Sequence, residues 1–467
     1  MLSEIPIDLE KVSKEDRDRE ILRVGIIAAI ISALLASSMV AGAIESSDFD
    51  DPTVCKGCHA EIYSQWNGSL HSIAYTDPVY LKEEEMASRE TDGLTDTYCA
   101  RCHTPIGVLS GEVPPIGLEN LSEISNKGIQ CDFCHSVNKS KDVGNGAFVV
   151  SLDGIKRGPY DDSESPYHES VFSELHTKSE FCGMCHEVYH PVTGIPIEET
   201  FTEWKEGPYN TTTQCQDCHM TPGVTHFEAN PGKASGIGPE RDHVYTHYFV
   251  GGNAAVTGVV GSEVHQRMAE ERLKSAATLE LETEKKDTEA EITVTVTNSG
   301  AGHKLPTGLT EARELWIEIM ATDVTGKEIY HVGGLDSEGE VDPDAMMYHV
   351  VLGDAEGQPT IKVWEAESTL SDNRILPKEA RVEKFNFAIP DEVKGPITVE
   401  AKLNYRSASQ KLLDKLFGEG AVVAPVIEMA SAEGTIEVPS KGVPGFEVLF
   451  ALISLLVVAY LVRRRLK

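Results

Sequence analysis

Positive charge is what this chain has least of. Lys and Arg number 41 against 75 Asp and Glu, giving a formal charge of −34 at pH 7. That excludes nucleic acid and an anionic membrane surface as partners of the folded body. It leaves a solvated acidic surface, or one that docks basic partners. Long apolar runs are also scarce. Between residues 44 and 260, Gly, Pro, Asn and Asp breaks recur, as in Gly144-Asn145-Gly146 and Gly207-Pro208-Tyr209. Such a stretch forms a poor core by itself. Spare cysteine is missing altogether. The ten cysteines all fall in five copies of Cys-x-x-Cys-His, so none remains for a disulfide framework, a zinc site or a catalytic thiol.

Those five copies are Cys55–Cys58–His59, Cys99–Cys102–His103, Cys131–Cys134–His135, Cys182–Cys185–His186 and Cys215–Cys218–His219. Each is the attachment signature of a c-type haem. Two thiols take the two vinyl groups of one porphyrin, and the adjacent histidine becomes the proximal iron ligand. Five covalently bound haem c groups are therefore expected. They would supply the apolar mass that residues 44–260 lack.

The length of 467 residues allows two to four domains. Residues 1–43 read as a signal peptide or an uncleaved N-terminal anchor: Arg17, Arg19 and Arg23 precede an apolar run from Val24 to Leu35, and Ala41-Gly42-Ala43 offers a cleavage site. Residues 44–260 are the pentahaem module, helical in short pieces and rich in loops. Residues 261–276 read as a linking helix, with Ser262 as N-cap and Val264, Met268, Ala269, Leu273 and Ala276 on one face. Residues 277–438 change period. Ile292, Val294 and Val296 alternate with threonines, Val382, Phe385 and Phe387 suggest another strand, and Ile397, Val399, Ala401, Leu403 and Tyr405 repeat every second position. An all-β immunoglobulin-like sandwich fits this pattern. Residues 439–467 read as a C-terminal transmembrane anchor: an apolar stretch after Pro444-Gly445-Phe446 ends in Arg463, Arg464, Arg465 and Lys467, and about 20 residues cross a bilayer. The Pro-Gly-Phe, apolar stretch and arginine cluster also resemble the archaeal PGF-type sorting signal, which implies processing and lipid attachment at the cell surface. Either way the haem and β domains are expected outside the cytoplasmic membrane.

Eleven of the 16 histidines lie outside the five motifs and are available as second axial ligands. Trp66 and Ser69-Leu70-His71-Ser72-Ile73-Ala74 follow the first motif. Together with Gly128-Ile129-Gln130-Cys131 and Ser179-Glu180-Phe181-Cys182, they resemble the cytochrome c-554 and c-prime family of multihaem cytochromes. The resemblance implies that His71 ligates a haem other than its own. It also implies a distal ligand just before the fourth motif, where His168 and His176 are alternatives. His247, in Thr246-His247-Tyr248-Phe249-Val250-Gly251-Gly252-Asn253, recurs in such relatives and is preferred to His243. His303 sits in Gly300-Ala301-Gly302-His303-Lys304-Leu305-Pro306-Thr307-Gly308, a loop similar to one in β-domains fused to multihaem cytochromes. It is either an exposed turn residue or a ligand that the β-domain lends to the haem module. His190, His226 and His265 are expected to bond or to face solvent.

Three functions follow. The first is electron transfer between a membrane-side donor and an extracellular acceptor or partner cytochrome, by the chain alone or as a homo-oligomer or polymer. The second is a reductase of a small nitrogen or sulfur oxyanion at one five-coordinate haem, with no catalytic residue singled out. The third is surface docking through the β-sandwich.

Overall fold

The computed structural model describes residues 43–223, 226–259, 262–438 and 446–465. The expected signal or anchor up to residue 42 and the start of the expected C-terminal anchor lie outside these. Residues from Ser46 onward belong to one compact unit.

Up to Val259 the chain is short helices, 3-10 turns and loops, with three two-stranded β pairs between Val137 and Glu198. The longest described helix in this stretch, α1 (Pro78–Glu90), has 13 residues. It starts cleanly because Asp77 accepts from the Val79 and Tyr80 amides and Pro78 supplies the first helical turn. The second motif ends helix α2 (Asp96–His103). Each motif is itself about one helical turn. The His59 amide donates to Cys55 O and the His186 amide to Cys182 O, both at 2.9 Å. One turn places the two thiols of a motif on the same side with the histidine beside them. The turns are capped locally: Gln130 accepts from Asp132 N, and Gln214 with Asp217 forms a reciprocal box before Cys215.

Helix α3 (Glu263–Ala276) leads into the β region. Its buried face carries His265, Ala269, Leu273 and Ala276, whereas Val264, expected on that face, is 44% exposed. The rotation has a polar cause. His265 Nε2 pairs with Gln65 O at 2.8 Å and Nδ1 with Ser262 Oγ at 2.5 Å, which anchors the first turn by its histidine.

The β region begins with β1 (Thr278–Lys286) and β2 (Glu289–Thr297), followed by β3 (Glu314–Thr322), β4 (Glu328–Val332), β5 (Met346–Met347), β6 (Ala380–Ala388), β7 (Ile397–Arg406) and β8 (Ile427–Ile436). One antiparallel sheet has the order β6-β2-β1, a second β4-β3-β7-β8 with β5 also on β3, and a third, smaller one pairs Val350–Gly353 with Pro359–Thr360 and Ser368–Asp372. The facing sides of the first two make the main core. Ile292, Val294 and Val296 meet Leu315, Ile317, Ile319, Ile397, Val399, Ala401 and Leu403, all fully buried. Val382 points out at 57% exposure, because the inward parity of β6 is set by Phe385 and Phe387. Helix α4 (Gln410–Phe417) is N-capped by Ser409 and puts Leu412 and Leu413 inside.

A second small core joins the two halves of the unit. Ile197 from the motif region packs with Leu352 and Ala366, and Val188, Ile195 and Leu309 close around them. The C-terminal helix α5 (Phe446–Arg465) has 20 residues. Among the described residues no helix is long and apolar enough to cross a membrane. The expected transmembrane segment is therefore not found there. Its apolar stretch is bounded by Glu447 at one end and by Arg463, Arg464 and Arg465 at the other.

Candidate functional site

All five motifs open onto one continuous cavity of about 1850 Å³, which runs from Asp50 and Val54 to Gly300–Leu309 and Leu412 of the β region. The ten cysteines are unpaired and half-buried, and all but Cys99 lie along its wall. Their neighbours fix the order of the motifs. Cys55 lies within hydrogen-bond reach of Cys131, Cys102 of Cys185, and Cys182 of Cys215. The first motif is thus beside the third, and the fourth sits between the second and the fifth.

Every motif histidine has an acceptor at Nδ1. His59 donates to Ala234 O at 2.7 Å, His103 to Ala74 O at 2.8 Å, His135 to Arg157 O at 2.6 Å and His219 to Val250 O at 2.9 Å. His186 instead meets a carboxylate, Glu198 Oε1 at 3.3 Å. An acceptor at Nδ1 fixes the tautomer and leaves the Nε2 lone pair for a metal. Charge agrees. Burial, helped by neighbouring cations, pushes His219 down to about 3, and burial also lowers His103 and His135, which keeps them neutral. At His186 burial acts the same way, but Glu198 outweighs it and the imidazole rises above its ordinary value.

Second histidines stand opposite three of the five. Ring centroids are 6.2 Å apart for His71 and His186, 5.8 Å for His135 and His176, and 6.4 Å for His219 and His303. The latter two pairs are nearly parallel, at 14° and 17°. A metal–imidazole bond of about 2 Å on each side sets two rings sharing one iron about 6 Å apart. The cavity and these spacings fit the group that the motifs imply. Burial, then nearby histidines, holds His71 at about 3 and His176 at about 4, again neutral.

His247 lines the same cavity, its amide on Gln65 Oε1 at 2.8 Å. Burial lowers it to about 3. His168 also lines the cavity but its Nδ1 rests near Ser170 Oγ, and among the described residues no ring faces it. His190 is committed at both nitrogens, to Trp364 O and to the Val192 and Thr193 amides. His103 differs from the rest. Its ring is stacked on Tyr80 at 3.8 Å and 7°, and no histidine ring faces it among the described residues. Glu83, which burial raises to about 7, and Arg313 line the same cavity.

Local structure explains the positions. His71 sits in a 3-10 turn capped by Ser69, and its carbonyl accepts from Ile129 N at 2.9 Å. Gly128 has φ +59°, and a Cβ there would strike His71 O, so only glycine admits this approach. Trp66 Nε1 donates to Ile129 O at 2.8 Å, which ties the first motif's helix to the third motif. His303 is held by a polar clamp. Asn298 Nδ2 donates to His303 O and Ile375 O, and Glu203 accepts from Thr307 Oγ1 at 2.6 Å and Lys304 N at 3.2 Å. Arg374 closes on Glu203 and on Asp372, at 2.8 Å for the latter. Glu198, Glu203 and Arg374 carry no signal in the sequence. They are lone charged residues whose partners are distant in the chain or outside any motif.

Comparison with known proteins agrees with this geometry. Residues 54–136 match the family model described as cytochrome c554 and c-prime. Residues 443–465 match the PGF-CTERM motif. The fold is that of a penta-heme cytochrome c552 from Thermochromatium tepidum, at a TM-score of 0.60 and 20% identity, over 83% of this chain and 99% of that one. A CARDB domain of the PF1109 protein from Pyrococcus furiosus covers 34% of this chain and 91% of its own, at 15% identity, but its TM-score of 0.15 carries no argument. No curated protein matches the sequence.

Proposed function

We propose that this chain is a pentahaem c-type cytochrome that carries electrons at the outer face of the cell. Its donor would lie at the membrane and its acceptor outside, either another cytochrome or an extracellular electron sink. Haem c is held by the ten motif cysteines, with His59, His103, His135, His186 and His219 as proximal ligands. His71 is read as the distal ligand opposite His186, His176 opposite His135 and His303 opposite His219. His247, which lines the same cavity as His59, is read as a further distal ligand. His168, the other alternative before the fourth motif, is set aside because no ring faces it among the described residues. Bound haem supplies one-electron chemistry. The observation that carries the reading is the set of three histidine pairs, 5.8–6.4 Å apart, around one cavity shared by all five motifs. An iron between two imidazoles has no place for a substrate, so these positions pass electrons rather than make bonds. The β region then serves the haem array through His303, which supports a structural role for it over a purely adhesive one.

The PGF-CTERM match supports export and attachment at the cell surface. Residues 1–43 are the leader in this reading, 44–260 the haem module, 261–276 the link, 277–438 an immunoglobulin-like domain, and 439–467 the sorting and anchoring segment.

A second reading rests on His103, which faces Tyr80 instead of a histidine. An iron open there would bind a small nitrogen or sulfur oxyanion. Low-temperature EPR of the oxidised holoprotein, with haem counted by mass, tests both. Five haems and low-spin signals alone support the pure conduit. One stoichiometric high-spin signal that shifts with nitrite or cyanide supports the reductase. Fewer than five haems overturns the pentahaem reading.

A further inference from the structure

One of the five motif histidines is wired differently. His59, His103, His135 and His219 donate Nδ1–H to neutral backbone carbonyls, of Ala234, Ala74, Arg157 and Val250. His186 alone donates to an anion, the Glu198 carboxylate. Glu198 ends the short strand Pro196–Glu198, which pairs with Val188–Tyr189 just after the motif. The carboxylate therefore comes from the same hairpin as the ligand, at a fixed distance from it. Thr200 Oγ1 donates to the same oxygen at 3.3 Å, and Thr200 is itself paired with Thr307 of the β region at 2.8 Å. Glu198 lines the haem cavity.

We infer that Glu198 is a positioning residue that makes the haem at the fourth motif the last of the five to be reduced. This rests on haem being bound at that motif. A carboxylate acceptor pulls the Nδ1 proton more strongly than a carbonyl does and makes the imidazole a more basic ligand. A more basic ligand, with a negative charge behind it in a low-dielectric cavity, favours the ferric over the ferrous state. The other four lack this charge at Nδ1. The position of the motif gives the effect a consequence. Cys185 adjoins Cys102 of the second motif, Cys182 adjoins Cys215 of the fifth, and Cys134 of the third lies near Cys182. A low-potential haem here is a junction within the array and not a terminus. Electrons would cross it only when the donor is strongly reducing, so it sets the threshold for conduction between the two ends.

The test is EPR-monitored potentiometry of full-length holoprotein, with haem counted by mass in each variant. Glu198→Gln keeps the shape and removes the charge. One of the five components should become easier to reduce by at least tenfold, about 59 mV for a one-electron couple, with a smaller shift at the second motif, whose His103 also feels the Glu198 charge, and the other three unmoved. Thr200→Val removes a hydrogen bond that weakens the carboxylate as an acceptor. It should move the same component the opposite way, by a smaller factor. Opposite shifts of one component are something a purely structural role would not produce. Five haems with no component moved by Glu198→Gln, or a shift shared by all five, overturns the inference and leaves haem binding standing. Loss of one haem from the wild type would instead remove the reading on which it depends. If Glu198→Gln does not assemble, the sign of the Thr200→Val shift decides: downward supports the inference, upward or absent overturns it.

Discussion

Replacing Arg374 by Met should loosen the joint between the β region and the haem cavity before it unfolds either. The Arg374 side chain is 3% exposed and that of Glu203 is 1% exposed. Arg374 also spans Asp372 with Nε at 2.9 Å and Nη2 at 2.8 Å. Methionine fills most of the space but removes the only cation paired with Glu203 among the described residues. Glu203 keeps two donors, Thr307 Oγ1 and Lys304 N, which are too few for a buried carboxylate. Removing one partner of a buried pair costs about 3–5 kcal/mol. That corresponds to a fall in Tm on the order of 10 °C, read by circular dichroism of the holoprotein. The Lys304 and Thr307 anchors flank His303, so the haem opposite His219 should turn partly high-spin below the main transition. The double variant Glu203→Leu with Arg374→Met removes both charges, and it should recover more than half of the loss. A Tm within about 1 °C of wild type for Arg374→Met, or a double variant as unstable as the sum of the two single changes, would refute the reasoning.

Three further outcomes follow from the geometry. His176→Ala should add one high-spin EPR component while His168→Ala adds none, since only His176 faces a motif histidine, at 5.8 Å; the reverse pattern would reassign the ligand. Gly128→Ala places a Cβ against His71 O at a positive φ, and it should cost about 2 kcal/mol or more in unfolding free energy and disturb the haem that His71 faces; a normal spectrum and stability would sink this. Glu311 is a buried carboxyl raised from 4.5 to about 8, chiefly by burial, and its Oε2 has no hydrogen-bond partner among the described residues. A raised carboxyl favours the folded state fully below its ordinary value and loses that contribution as pH rises toward 8. Glu311→Gln should therefore flatten the stability–pH profile between about pH 5 and 8 and gain on the order of 1 kcal/mol at the upper end; an unchanged slope would mean the carboxyl ionises freely.

The sequence carried the parts of this protein that are written locally. A Cys-x-x-Cys-His turn needs only its own five residues to place two thiols and a lone pair on one side. The alternation in Ile292–Val296 and Ile397–Tyr405 follows from strand geometry, and these side chains are the core. His71 and His303 each stand in a stretch that resembles a known family, and the fold sets each ring opposite a motif histidine. What was not legible depends on crossings of the chain. His168 and His176 have similar spacing to the fourth motif, and only the fold turns His176 onto His135. The expected face of α3 holds at Ala269, Leu273 and Ala276, and only Val264 turns outward, because His265 takes the inward place by pairing with Gln65 O, 200 residues earlier. Glu198 looks like any acidic residue in an acidic chain until His186 is found beside it.

That last case bears on how such an array is built. Proximal ligands come from a repeated local motif, and so they are nearly equivalent at the level of sequence. Their differences must come from what each Nδ1 meets and from which distant segment supplies the opposite ring. Here the opposite rings come from three separate places: His71 in a turn after the first motif, His176 before the fourth, and His303 in the β region. A repeated unit would by itself give five similar sites. In the proposed array the connecting segments would make them unequal, and inequality in energy gives a chain of redox centres a direction. The β region would be part of that array. Its loop carries a histidine to the fifth motif, its Thr307 touches Thr200 behind Glu198, and its Arg374 locks the joint.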